Sequence, residues 1–188
     1  LDPRMKAIQD RVDAKLPGRV NLLDCGDCED PANVVVFSYA DRSPGEYLLY
    51  QPAANRWQRL GSRRPDVDPA SMASVGFHRI QARDGEDLPL WVTRGAGTEG
   101  RPQPAVVLVH GGPWVRGSEW EWSAEAQFLA SRGYVVIEPE FRGSTGYGDR
   151  HFRAGWKQWG LAMQDDVTDA LRFAVKSGWV DPRRVCIA

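Results

Sequence analysis

His110-Gly111-Gly112-Pro113 closes an apolar run and gathers the residue types from which an anion-stabilising turn can be built. Glycine lets the backbone fold tightly after a strand and aim an N–H at a ligand with no Cβ in the way. The same four residues also read as an ordinary Gly-Gly turn ending a buried strand, with His110 bonded through its ring to loop backbone. Catalytic base is the competing role for His110, because imidazole titrates near neutral pH. His78 falls on a hairpin and His151 follows a glycine-rich loop, and neither has the partner spacing of a metal ligand. Three isolated histidines make no site.

Three other clusters carry chemistry-bearing residues. Cys25-Gly-Asp-Cys28 has the spacing of half a zinc site or of a redox pair, but no second cysteine pair follows. Asp24, Asp27, Glu29 and Asp30 crowd it with negative charge, which disfavours a thiolate. The pair therefore reads as a surface turn, with a local disulfide as the next alternative. Asp165-Asp166 resembles a pair of acids for general acid–base work, but both fall in the first turn of a helix, where carboxylates oppose the helix dipole. Arg142–Gly148 is glycine-rich but lacks the Gly-Lys-Ser/Thr ending of a phosphate-binding loop.

Two kinds of element must position these groups. Met5, Ile8, Val12 and Leu16 recur at helical spacing over 3–16, and Pro17-Gly18 ends that helix. Strand candidates follow at Val20–Asp24, Val34–Ala40, Tyr47–Gln51 and Trp57–Leu60, parted by turn signals at Asp30-Pro31, Ser43-Pro44-Gly45 and 52–55. Four such strands make a blade of a β-propeller or a small meander. A proline- and charge-rich linker then covers 65–73, dividing a first region, 1–64, from a second, 74–188.

The second region changes pattern. Ser74–Ala82 and Leu88–Arg94 pair around Asp84-Gly85 as a hairpin. A Gly/Pro loop over 95–104 leads to Ala105–His110, an apolar strand of the buried parallel kind. A short helix ends near Gly133, Val135–Ile137 is the next strand, and 162–176 is amphipathic, with Val167, Ala170, Leu171, Ala174 and Val175 on one side. Val185–Ala188 is a last apolar strand, in which Cys186 reads as a small core residue. Strand–helix alternation of this kind builds a parallel sheet.

Composition narrows the partners. The chain has 188 residues and a formal net charge of −1, which offers no general attraction for nucleic acid or an acidic membrane. No apolar run is long enough to span a bilayer. Leu1 is neither an initiator Met nor the start of a signal peptide, so the compartment is left open between cytoplasm and periplasm.

Taken in order, His110–Pro113, Phe141-Arg142-Gly143-Ser144-Thr145-Gly146-Tyr147-Gly148, Gln164–Val167 and Asp181–Ala188 resemble the prolyl oligopeptidase family of serine peptidases, on its acylaminoacyl-peptidase and dipeptidyl-peptidase side. The likeness covers 74–188 and extends more faintly over 20–60. It implies an α/β fold: the N-terminal half of an α/β-hydrolase with a mostly parallel sheet, preceded by the antiparallel last blade of a propeller. It implies hydrolysis of short peptides by acyl transfer through a serine, with no cofactor and no metal. The family's Ser, Asp and His follow in that order on the sheet, the Ser directly after the strand matching Val185–Ala188. All three are then expected beyond residue 188, and the chain alone is expected to be inactive. Gly112 maps onto the family's backbone oxyanion donor. Pro113, Trp114, Trp120 and Trp122 become candidates for a substrate cleft, as do Trp156 and Trp159, although each could equally pack the core. Arg142 is placed to pair with a carboxylate. An exposed edge at 185–188 would favour self-association. An esterase or lipase on the same fold, and a non-catalytic hydrolase-like scaffold, remain as alternatives.

Overall fold

The computed structural model describes residues 2–188 except Asp27, Asp30 and Glu99. The acidic neighbours Asp27 and Asp30, and with them the Asp30-Pro31 turn signal, therefore lie outside the described residues. The chain divides into two compact units, Leu1–Ser71 and Met72–Ala188.

In the first unit helix α1 (Pro3–Lys15) is capped by Asp2, whose carboxylate accepts from the N–H of Arg4 and Met5. Strands β1 (Val20–Asp24), β2 (Val34–Ala40), β3 (Ser43–Gln51) and β4 (Arg56–Ser62) form an antiparallel sheet in chain order. Ile8 and Val12 of α1 are buried against Val34, Val36 and Tyr50, with Met5, Leu16 and Trp57 at the margin. This is the helical face that the period of the sequence marks out. One turn differs from expectation: the chain reverses at Asp41-Arg42, and Ser43-Pro44-Gly45 belongs to β3. Ser38 pairs with Glu46 and Ala40 with Ser43, so Pro44 sits in a bulge, where a missing N–H costs no ladder bond. Cys25 and Cys28 are joined by a disulfide, with their Cα atoms 5.3 Å apart. The plain surface turn favoured from sequence is corrected to its alternative: charge argues against a thiolate, but the Cα separation is the usual one for a bridge.

In the second unit β5 (Ser74–Gln81), β6 (Asp87–Arg94), β7 (Gln103–Val107), β8 (Val135–Pro139) and β9 (Val180–Ile187) form one sheet in the order β5-β6-β8-β7-β9. The β5·β6 and β6·β8 pairings are antiparallel, and β7·β8 and β7·β9 are parallel. The sheet is thus mixed in equal parts rather than mostly parallel, because the hairpin joins the β8 side of the ladder through β6. Helix α2 (Ala124–Ser131) contacts β6 and β8, and α4 (Ala162–Lys176) contacts β6, β8 and β9; a short α3 (Asp149–Ala154) lies between them in sequence. Met163, Val167, Ala170 and Ala174 of α4 share a core with Leu88, Leu90, Ala105, Val107, Val135 and Ile137.

Strand β9 is one of the sheet's two edge strands, β5 being the other. Cys186, expected in the core, is exposed, as are Val185 and Ile187. The strand expected at Val185–Ala188 runs instead from Val180 to Ile187, and a strand is covered only where another element packs on it. Along β9 only Val180 is buried.

Candidate functional site

The His110–Pro113 turn is set where β7 runs out between its two parallel neighbours. Beyond Val107 the ladder continues as single bonds: Leu108 N–H donates to the Ile137 carbonyl (2.9 Å) and Val109 N–H to the Ala188 carbonyl (2.9 Å). The turn therefore stands at the carboxyl ends of three adjacent strands, where open α/β sheets place their ligands. Gly112 has φ +124°, a conformation that glycine alone adopts readily. A Cβ there would lie 2.9 Å from Val115 Cγ2. Gly112 is exposed, and among the described residues its N–H donates to no acceptor.

His110 is held on all sides. Its ring stacks on Phe141 with centroids 4.4 Å apart, Nδ1 lies 2.9 Å from the Gly111 carbonyl, and Nε2 lies 3.0 Å from Ser144 Oγ. The Ser144–His110 contact has the distance of a nucleophile and its base. It lacks the rest: Ser144 is wholly buried, its Oγ donates to the Phe141 carbonyl, and a backbone carbonyl rather than a carboxylate faces Nδ1. The pair ties two loops together, and His110 serves the structural role read from sequence. His151 is likewise buried, its Nε2 near the Glu140 and Phe141 carbonyls, and His78 packs between Phe173 and Trp179, where burial lowers its pKa.

The cleft candidates part company. Pro113 is buried and lines an apolar hollow of about 180 Å³ with Val109, Phe141, Trp159, Met163 and Val167. Trp114 lies over Gly143, where a Cβ would be 2.8 Å from its ring, and meets Phe152 edge-on. Trp122 turns away: its Nε1 donates to Met72 Sδ (3.2 Å). Trp120 is half-buried, and it does not line this hollow. Trp156 is exposed and packs edge-on against Phe152. Trp159, 72% exposed, stands at the mouth of the hollow.

Beneath the turn lies a charged framework. Arg142, at the head of the glycine-rich loop, is bonded to Asp166 of α4 and to Asp84 of the β5–β6 turn. Asp166 was read as a helix-terminal charge; it is instead a buried partner, accepting from the backbone N–H, Nε and Nη2 of Arg142. Arg83 makes a parallel bridge to Asp165 and Asp169. The hydrogen bonds from Arg142 hold the Asp84 carboxyl down to about 2. Two acids escaped sequence reading altogether. Glu140 has no exposed surface and accepts from the N–H groups of Gly117 and Ser118, while Glu138 accepts from Ser118 Oγ–H. The available signal was two glutamates spaced to share one face at the end of an otherwise apolar strand. Among the described residues no group of three or more His, Cys, Asp or Glu is arranged to hold a metal.

Residues 120–188 match the family model of the prolyl oligopeptidase family. Along the whole chain, dipeptidyl aminopeptidase BIII of Pseudoxanthomonas mexicana is 34% identical, the match covering 28% of that protein. The chain belongs to the prolyl oligopeptidase family. Dipeptidyl peptidase family member 6 of Caenorhabditis elegans is 43% identical over 97% of this chain and 27% of its own length. Among solved structures, a puromycin-hydrolyzing peptidase of Mycobacterium tuberculosis superposes with a TM-score of 0.71 at 28% identity, covering 84% of this chain and 25% of that one. The chain thus spans about a quarter of the length of these prolyl oligopeptidase family relatives.

Proposed function

We propose that this chain is part of a serine peptidase acting on short peptides, in which Gly112 supplies one oxyanion donor. The observation that carries the reading is the Gly112 turn itself. At φ +124° it presents an N–H with no acceptor among the described residues, at the carboxyl end of a parallel strand, ahead of residues 120–188 that match the prolyl oligopeptidase family model. In acyl transfer a serine attacks the peptide carbonyl, and the oxygen takes up negative charge. Fixed N–H donors aimed at that oxygen lower the barrier by several kcal/mol. The second donor, the nucleophile with its base, and the orienting acid fall beyond Ala188 in this reading, following the family's chain order. The acyl-enzyme is then hydrolysed by water. Pro113 and Trp159, lining the apolar hollow beside the turn, are the side chains best placed to meet substrate.

The same reading makes residues 1–188 inactive alone, and it makes the β9 edge at 185–188 a surface for self-association. A fluorophosphonate probe tests the catalytic half. The full-length protein is expected to take one label, on a serine after Ala188, and residues 1–188 none. Stoichiometric labelling of Ser118 or Ser144 in the short chain would overturn the reading. An esterase on the same fold would label as well, so the full-length protein is also offered peptide and ester substrates with matched acyl groups. Preference for the ester alone would favour that alternative; a labelless full-length protein would favour the scaffold.

A further inference from the structure

We propose that Glu140 is a positioning residue for Gly112, acting through the backbone of Gly117 and Ser118; this rests on the oxyanion reading above. Glu140 follows β8 directly, and its own N–H donates to the Pro89 carbonyl of β6 (2.9 Å), so its base is part of the sheet. Its carboxylate is fully buried. Oε2 accepts from Gly117 N–H (3.1 Å) and Oε1 from Ser118 N–H. Two residues earlier on the same face, Glu138 accepts from Ser118 Oγ–H (2.9 Å), and burial pushes the Glu138 carboxyl above its usual range. One further bond, Thr145 N–H to the Val115 carbonyl (3.1 Å), fastens the loop a little upstream.

Pro113 and Trp114 pack against the hollow and against Gly143 and Phe152, and beyond them the polar anchors set the shape of the loop. Gly111, Gly112 and residues 114–117 are all exposed, and only Pro113 is buried between them. From 115 to 117 the loop has no packing core to define it. Burying a carboxylate is costly unless strong donors satisfy it. The hydrogen-bond donors found for Glu140 are the backbone groups at the far end of this loop, and at the near end, where β7 runs out, its Oε2 lies 3.9 Å from His110 Nε2. Gly112 lies between the two ends. Glu140 itself has no exposed surface, so it does not touch substrate from this position. Its effect on catalysis is therefore through geometry, and a displacement of about 1 Å in a catalytic donor can lower a rate a hundredfold.

The test has two arms. In residues 1–188, Glu140→Gln is expected to speed amide exchange at Gly117 and Ser118 at least tenfold while amides of β7 and β8 keep their protection. Gln offers one acceptor where the carboxylate offers two, and its amide group opposes an N–H. In the full-length protein the same variant is expected to lower kcat roughly tenfold to a hundredfold, with KM changed less than about twofold. Ser118→Ala, which leaves both Glu140 bonds intact, is expected to have a smaller effect on kcat. Should Glu140→Gln not fold, Glu140→Asp is read the same way, since it keeps the charge but shortens the reach. Normal kcat in a folded variant, or unchanged exchange at Gly117 and Ser118, would overturn the proposal. A wild-type full-length protein without turnover would overturn the oxyanion reading first, before any substitution is compared.

Discussion

Arg142 and Asp166 are joined by three hydrogen bonds: the backbone N–H, Nε and Nη2 of Arg142 all donate to the one carboxylate, at 2.9, 2.8 and 2.7 Å. Both side chains are buried, so the pair cannot be replaced by water when one member is lost. Breaking a buried pair by removing one charge costs about 3–5 kcal/mol where the other charge is left unpaired. Arg142 keeps its bonds to Asp84, so Asp166→Asn is expected to destabilise Met72–Ala188 by no more than about 3 kcal/mol in urea unfolding. The double variant Arg142→Met, Asp166→Leu, which removes both charges, is expected to lose less than the single one. A double variant less stable than Asp166→Asn would show that the pair contributes more than it costs to bury.

Asp84, on the other side of Arg142, gives the protein an acid limb. Its carboxyl is held down to about 2, first by the hydrogen bonds from Arg142. A folded-state value below the unfolded one means that the contribution is present above about pH 4 and is lost as pH falls through about 2. Asp84 is 44% exposed, so solvent weakens the effect. Asp84→Asn is expected to make stability fall less steeply between about pH 4 and 2, while Asp169 and Asp181, also lowered, keep part of the slope. Parallel pH profiles for the two proteins in urea unfolding would refute this.

What the sequence could show depended on whether a residue's role is local. Helix α4 was legible to the residue, because an amphipathic period and a Ser-Gly stop are written in consecutive positions. Strands β1 and β2 were legible for the same reason, as was the Gly-Gly turn after β7. Two failures in the first unit were local, the turn expected at Ser43-Pro44-Gly45 and the plain turn expected at Cys25 and Cys28; those in the second unit depended on distant partners. Asp166 resembled a dipole-opposing charge because Arg142, 24 residues away, has no sequence mark linking the two. Cys186 resembled a core residue because its strand is apolar, and nothing local says which strand ends at an edge. Glu140 was passed over because a glutamate's donors, here the backbone of Gly117 and Ser118, belong to another loop. The antiparallel half of the sheet was undercounted because β6, not β7, is the neighbour that joins the hairpin to β8.

The β9 edge carries a prediction of its own. Val185 and Ile187 are 36% and 58% exposed on a strand with one side of its ladder open. Exposed edges of this kind recruit further strands, and an inserted lysine blocks them. The apparent mass of residues 1–188 in light scattering is expected to rise with concentration. Ile187→Lys is expected to abolish the rise without lowering the melting temperature by more than a few degrees. A wild-type chain that stays monomeric at high concentration would remove 185–188 as an association surface.

Gly112 offers the sharpest test of the proposed chemistry. Gly112→Ala in the full-length protein keeps the N–H but cannot comfortably hold it at φ +124°. The new Cβ would also press on Val115 Cγ2, 2.9 Å away, so the turn has to shift. An oxyanion donor matters most where charge develops, and its displacement should reach kcat while KM stays close to normal. Loss of one such donor typically costs about 10²–10³ in rate, or about 2.7–4 kcal/mol. Strain alone would act differently: it would lower the melting temperature and the amount of folded enzyme, but leave turnover per active site intact. Titrating active sites with the fluorophosphonate probe before measuring kcat separates the two. A variant with a lowered melting temperature and near-normal turnover per labelled serine would make Gly112 a plain turn glycine. The oxyanion assignment would then fall, and the role proposed for Glu140 with it.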